Sequence, residues 1–205
     1  MVRVLDSALI LHADHELNAS TFAARVTAAT MSDMYSSVTS AIGTLKGPLH
    51  GGANEEVMKM LREIGDPGKA EAWVLEALSK KAKIPGFGHR VYRTEDPRAA
   101  VLKRYAERLA AQVGDTRWVE IAREVERVTR ANTRVFPNVD YYSGVCYHLM
   151  GIPEELFTPV FACSRAVGWT AHILEQWTNN RLIRPRANYT GPDDLRYLPI
   201  EERTA

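Results

Sequence analysis

Seven residues of this sequence could together grip and deprotonate a small anionic carbonyl compound: His15, His50, His89, Arg98, Asp140, Arg165 and Arg184. Guanidinium groups offer paired donors that match carboxylates, as a lysine ammonium cannot. A carboxylate aimed at an acidic C–H can take its proton, and an oriented imidazole can donate where negative charge develops. The histidines stand in Leu-His-Ala-Asp-His15-Glu-Leu-Asn, Gly-Pro-Leu-His50-Gly-Gly-Ala-Asn and Pro-Gly-Phe-Gly-His89-Arg. Each stretch holds turn-forming or helix-starting residues, and glycine lets backbone approach a ligand closely. Taken singly, each residue also has an ordinary structural reading: a loop histidine, a solvated arginine, or, for Asp140, the cap of a following helix. His12, His148 and His172 are assigned to structure. Arg98 follows Asp96-Pro97 and so falls in a first helical turn, where a cation opposes the macrodipole unless an anion lies nearby.

The elements that must position these groups read as helices. Ser20 is expected to cap a helix running to Thr30, with Ser20, Ala24 and Ala28 on one small face that lets backbones pack closely. A second helix is expected from Ser32, with Met34, Tyr35, Val38, Ala41 and Ile42 at helical spacing, stopped by Gly43 and Lys46-Gly47-Pro48 just before His50. Val57, Met60, Leu61 and Ile64 predict a third, broken at Gly65-Asp66-Pro67-Gly68. Trp73, Val74, Ala77 and Leu78 mark the next. Leu102, Tyr105, Leu109 and Val113 form an expected stripe behind Asp96-Pro97, and Asp115 is expected to cap a helix carrying Trp118, Ile121, Val125 and Val128. Pro153 is expected to open a long helix through Phe157, Phe161, Val167, Ile173 and Leu174, from which Arg165 projects; beyond Pro185 the chain reads as extended. No run alternates as a strand would. The expected fold is all-α.

A chain of 205 residues with 45% hydrophobic and 25% charged side chains has an ordinary globular composition. Its net charge of +1 gives no global reason to expect nucleic acid, so anion binding must be local. Cys146 and Cys163 make neither a CxxC motif nor a disulfide scaffold, which points to a reducing cytosol. The N-terminal apolar stretch, interrupted by Arg3 and Asp6, is too short and polar for a signal peptide or a membrane span. No metal is expected, since only His12 and His15 lie close in sequence.

Five ordered stretches resemble citrate synthase of the bacterial type: Leu11 to Thr21, Gly47 to Glu55, Pro85 to Arg93 with Asp96-Pro97-Arg98, Pro137-Asn138-Val139-Asp140 with Ser143-Gly144, and Ser164-Arg165. The resemblance continues through Arg184-Pro-Arg186 and Tyr189-Thr-Gly191. It implies condensation of acetyl-CoA with oxaloacetate and hydrolysis of citryl-CoA to citrate and CoA, with acetyl-CoA as a substrate and no separate cofactor. By resemblance, Asp140 is the base, His50 the enolate donor, and His89 the donor to the oxaloacetate ketone, which His15 orients. Arg98, Arg165 and Arg184 hold the carboxylates. Arg184 is expected to act across the subunits of a homodimer, and Arg93 with the loop Ile84, Pro85, Gly86, Phe87 and Gly88 to meet CoA. The implied architecture is a small helical domain, 52–151, inserted into a large helical domain represented by 1–51 and 152–205, closing over substrate. Family members carry a substantial portion ahead of the Leu-His-Ala-Asp-His motif, so the large domain is expected to be incomplete and the helices from Ser20 and Ser32 to bear uncovered apolar faces. Two alternatives accompany this reading: a 2-methylcitrate synthase acting on propionyl-CoA, and a non-catalytic fragment or half of a split enzyme.

Overall fold

The computed structural model describes residues 1–203. Among them are nine α-helices: α1 (Val2–His12), α2 (Ala19–Ala29), α3 (Met34–Leu45), α4 (Ala53–Ile64), α5 (Ala70–Ser79), α6 (Pro97–Val113), α7 (Arg117–Asn132), α8 (Val139–Leu149) and α9 (Phe157–Thr178). The described residues form no strand, only an isolated bridge between Phe87 and Pro137. The all-α expectation holds. No helix among the described residues is long and apolar enough to cross a membrane.

The apolar side chains gather in two clusters. The larger joins α4 to α8 with the inner face of α1, through residues such as Val57, Leu61, Leu102, Leu109, Ile121, Val125, Tyr141 and Val145. At about 1.5–3 kcal/mol for each large side chain taken from water, this cluster supplies most of the driving force. The smaller joins α2, α3 and α9 through Ala24, Ala28, Ala41, Leu45, Phe161, Trp169 and Ile173. Alanines let α2 and α3 lie close, as the spacing of Ser20, Ala24 and Ala28 predicted.

Several local expectations need correction. Asn18, not Ser20, caps α2: its Oδ1 accepts from Thr21 N at 3.2 Å, while Ser20 is fully buried inside the first turn. Asp33 caps α3, so that helix starts at Met34 and not at Ser32. Helix α7 begins after Thr116, yet Asp115 Oδ1 still accepts from Arg117 N at 3.3 Å. A short 3-10 turn, Glu154–Leu156, separates Pro153 from α9. Tyr35, Ile42, Val113, Val167 and Leu174 were expected inward and are exposed. On α2 and α3, Phe22, Tyr35 and Ile42 all face out. Beyond Asn179 the chain has no helix up to Pro199 and bends at Gly191, Asp193 and Asp194.

Candidate active site

The loop Ile84 to His89 is pinned against the entrance of α8. Gly88 N donates to Phe136 O at 2.9 Å and Asn138 N to Gly86 O at 2.8 Å. Gly86 has φ +75°, and a Cβ there would stand 2.7 Å from both Tyr141 Cδ2 and Val57 Cγ2, so only glycine fits. The Asn138 amide joins loop and helix: Nδ2 donates to Gly88 O at 3.0 Å, and Oδ1 accepts from Asp140 N at 3.0 Å. Asn138 is thus the cap of α8. Asp140, one residue inside the helix, is spared that duty.

His89 Nδ1 accepts from Val91 N and Tyr92 N, both at 3.0 Å, which fixes the ring proton on Nε2. Nε2 lies 3.0 Å from His15 Nε2, so His89 donates and His15 accepts. Tyr92 packs against both rings, with centroid separations of 4.5 Å to His89 and 5.6 Å to His15.

Arg98 is buried at the start of α6 and its charge is met by Asp96, whose carboxylate takes Arg98 Nη2 at 2.8 Å and Nε at 3.0 Å. The misfit of a cation in a first helical turn is therefore compensated within the chain. On the facing side, Arg165 of α9 donates from Nε to His12 O at 2.6 Å and lies over the Phe161 ring at 4.8 Å. Its Nη1 is buried with no hydrogen-bond partner among the described residues. Burial pushes this guanidinium down to about 10, and the positive charge of Arg98 adds to the effect.

His50 follows the turn after α3, where its ring nitrogen Nε2 lies 2.9 Å from Ser20 Oγ. Ser20 Oγ donates to Asn18 Oδ1 at 2.8 Å and accepts from Trp169 Nε1 at 3.1 Å, so it accepts from a His50 protonated on Nε2. In the other tautomer the ring would instead accept from Ser20 N at 3.3 Å.

Burial, with the nearby arginine charge, lowers His15 and His50 to about 4, so both imidazoles are neutral at neutral pH. Asp140 moves the opposite way. Burial pushes its carboxyl up to about 6 against the pull of Arg98 and Arg165, and Oδ1 is buried without a hydrogen-bond partner among the described residues. A group that titrates near working pH, beside neutral donors and arginines, is suited to proton abstraction.

A cleft of about 510 Å³ is lined by His15, His50, His89, Arg98, Asp140 and Arg165. Six of the seven singled-out residues thus come together. Arg184 does not join them within this chain: it is exposed in the segment after α9 and donates to Pro185 O at 2.9 Å. Next to the cleft, a hollow of about 330 Å³ is lined by Gly88, Tyr92, Arg93 and Arg134 among others. Of the residues expected to meet CoA, Arg93 and Gly88 line this hollow, whereas Ile84 and Gly86 are buried beneath the loop and Phe87 packs edge-on against Tyr141. Sequence reasoning missed Asn18, Ser20, Tyr92 and Asn138 as supporting groups. The asparagines had a findable signal, each standing just ahead of a helical run.

A family profile described as citrate synthase, C-terminal domain, matches residues 1–186. The chain belongs to the citrate synthase family. It is 59% identical over 202 residues to citrate synthase 2 of Bacillus subtilis, covering 98% of this chain and 54% of that protein. It is also 49% identical over 201 residues to a 2-methylcitrate synthase of Shewanella oneidensis, again covering 98% and 54%. Among solved structures it superposes with a TM-score of 0.91 and 44% identity on a ternary complex of citrate synthase from Thermoplasma acidophilum with carboxymethyl coenzyme A and oxaloacetate, covering 98% of this chain and 55% of that one. The chain spans about half the length of the curated citrate synthases it matches.

Proposed function

We propose that this chain carries the condensing site of a citrate synthase, joining acetyl-CoA to oxaloacetate and hydrolysing citryl-CoA to citrate and CoA. The observation that carries the reading is the buried, unpartnered Asp140 carboxylate, raised to about 6, in one cleft with three imidazoles and two guanidinium groups.

In this reading Asp140 removes a methyl proton from acetyl-CoA and His50 donates to the enolate oxygen. The enolate carbon attacks the oxaloacetate ketone carbon, forming the C–C bond while the carbonyl pair moves to oxygen. His89, whose Nε2–H is fixed by the two amides at Nδ1, polarises that ketone and supplies the proton to the alkoxide; the same amides face the charge left on the ring. His15 orients the ketone from the side. Water then cleaves the thioester, with CoA leaving as the thiol. Arg98 and Arg165 hold substrate carboxylates, and Arg184 serves a second copy's cleft in a homodimer, which accords with its exposed place outside its own. Arg93, Gly88 and the exposed part of the loop 84–88 meet CoA, and residues 52–151 close as a small domain over the large one.

Release of free thiol from acetyl-CoA, dependent on oxaloacetate, tests the proposal; no such signal from the folded protein would sink it. The likeness to a 2-methylcitrate synthase supports a second reading with propionyl-CoA. One methylene is worth only about 1–3 kcal/mol of discrimination. Comparing kcat/KM for the two acyl-CoAs decides, a strong propionyl preference favouring the second.

A further inference from the structure

Asp96 is the N-cap of α6, yet its carboxylate is the most heavily used in the molecule's site region. It is 2% exposed. Oδ1 accepts from Arg98 N and Arg98 Nε, each at 3.0 Å. Oδ2 accepts from Arg98 Nη2 at 2.8 Å and from Val139 N at 3.1 Å. Val139 is the first residue of α8, and Asp140 follows it directly. One side chain therefore caps α6, orients the Arg98 guanidinium and fixes the N-terminus of the helix that bears the base.

We propose that Asp96 is a positioning residue that acts on both Arg98 and Asp140, setting the direction of the carboxylate clamp and the basicity of the base through one shared anchor. The proposal rests on the condensing function above and deepens it.

The geometry favours a charged Asp96. Burial works against its ionised form, but the Arg98 guanidinium and backbone hold it below the ordinary carboxylate range. It also lies at the N-terminal ends of two helices, where negative charge is favoured. With its two oxygens taking four donors, it leaves the rest of the Arg98 fork for the cleft that Arg98 lines. The groups that face Asp140 are few. Arg98 on α6 and Arg165 on α9 favour its charged form, and Asp96, ahead of α6, disfavours it. On α8 itself, Tyr147 is neutral, its phenol pushed above the range of tyrosine by burial and by the Asp140 charge. His12, His15 and His50 are held down to about 4, and His89 is lowered too, so they add no charge at neutral pH. At Asp140, Asp96 is thus the negative charge that works against the pull of the two arginines.

Two substitutions separate its effects. Asp96→Asn keeps the shape but removes the charge, and Asp96→Glu keeps the charge but displaces the oxygens by one methylene. The Asp140 carboxyl is followed by carbon-13 NMR titration, assigned by its loss in Asp140→Asn, and oxaloacetate affinity by calorimetry. In Asp96→Asn the Asp140 midpoint is expected to move to lower pH, and oxaloacetate binding to weaken by about tenfold, the effect of roughly 1.4 kcal/mol. In Asp96→Glu the midpoint is expected to stay near that of the parent while binding still weakens. An unmoved midpoint in folded Asp96→Asn overturns the proposal. Should Asp96→Asn not fold, unchanged oxaloacetate affinity in Asp96→Glu overturns it. The titration needs no turnover, so a protein that makes no citrate would defeat the functional reading and leave this test standing.

Discussion

Arg98 and Arg165 approach the same cleft from opposite walls, and they are held in opposite ways. On the wall of α6 and α8, Arg98 is paired with a carboxylate at two points and its charge is cancelled locally. On the wall of α1, α2 and α9, Arg165 is held by a single peptide carbonyl, that of His12, and by the face of Phe161. Each wall therefore leaves one charge uncompensated: positive at Arg165, negative at Asp140. In the proposed reaction a dianion and a C–H acid would meet complementary walls, each offering what the other lacks. The paired arginine reaches the cleft with a direction fixed by its carboxylate; the other has no carboxylate to direct it.

The sharpest way to break this comparison is at the negative charge. Asp140→Asn is expected to cut turnover by roughly 10²–10⁴-fold while oxaloacetate still binds, measured by thiol release and by calorimetry. Weakened binding with unchanged turnover would mean that Asp140 is not the base. At the arginines the walls should respond differently. Arg98→Met leaves Asp96 buried and unpaired, so it should cost about 3–5 kcal/mol in denaturant unfolding. Arg165→Met removes a charge that has no ion pair among the described residues and should cost about 1–3 kcal/mol, its main effect falling on oxaloacetate affinity. Equal stability losses would erase the distinction between the two.

Titration offers a subtler test. His12, His15 and His50, all on the α1 and α2 side, are held down to about 4 from 6.5. Their folded pKa lies below the unfolded one, so between about 4 and 6.5 the unfolded chain binds more protons and stability rises with pH. Asp140, raised to about 6, opposes this over a similar window. Three groups outweigh one, so the thermal midpoint should climb from pH 4 to 6.5, and the climb should be steeper in Asp140→Asn, where the opposing group is gone. A flat profile would contradict the burial of the histidines. The last test concerns packing. Gly168 of α9 donates to Ala13 O at 3.0 Å, and a Cβ there would press on Asp14 Oδ1 at 2.8 Å. Gly168→Ala should cost about 1–3 kcal/mol in thermal or denaturant unfolding, through displacement of the α1–α2 connection that bears His15.

Much of this was legible in the sequence because breakers and chemistry-bearing residues are local features. Gly65, Asp96-Pro97 and the apolar steps of α4 and α7 mark elements where the structure has them. Six site residues could be named because their types, and the resemblance they carry, do not depend on packing. What failed depends on partners distant in sequence. Tyr35 and Ile42 have helical spacing, but spacing does not say which face finds a neighbour. Ser20 resembled a cap because hydroxyls favour that position, whereas its burial against Trp169 and His50 involves residues far along the chain. Asp96 was legible as a cap; that its second oxygen reaches Val139 required the fold.

The contact between His15 and His89 has a consequence for selectivity. The donor of one ring is satisfied by the lone pair of the other. Any molecule that parts the rings has to replace that bond with an acceptor of its own. A ligand of similar charge and length with no oxygen at that point gains the arginines but leaves the pair shut. In the proposed reaction, the histidine pair would therefore select for a carbonyl before any chemistry begins, through a bond that has to be exchanged.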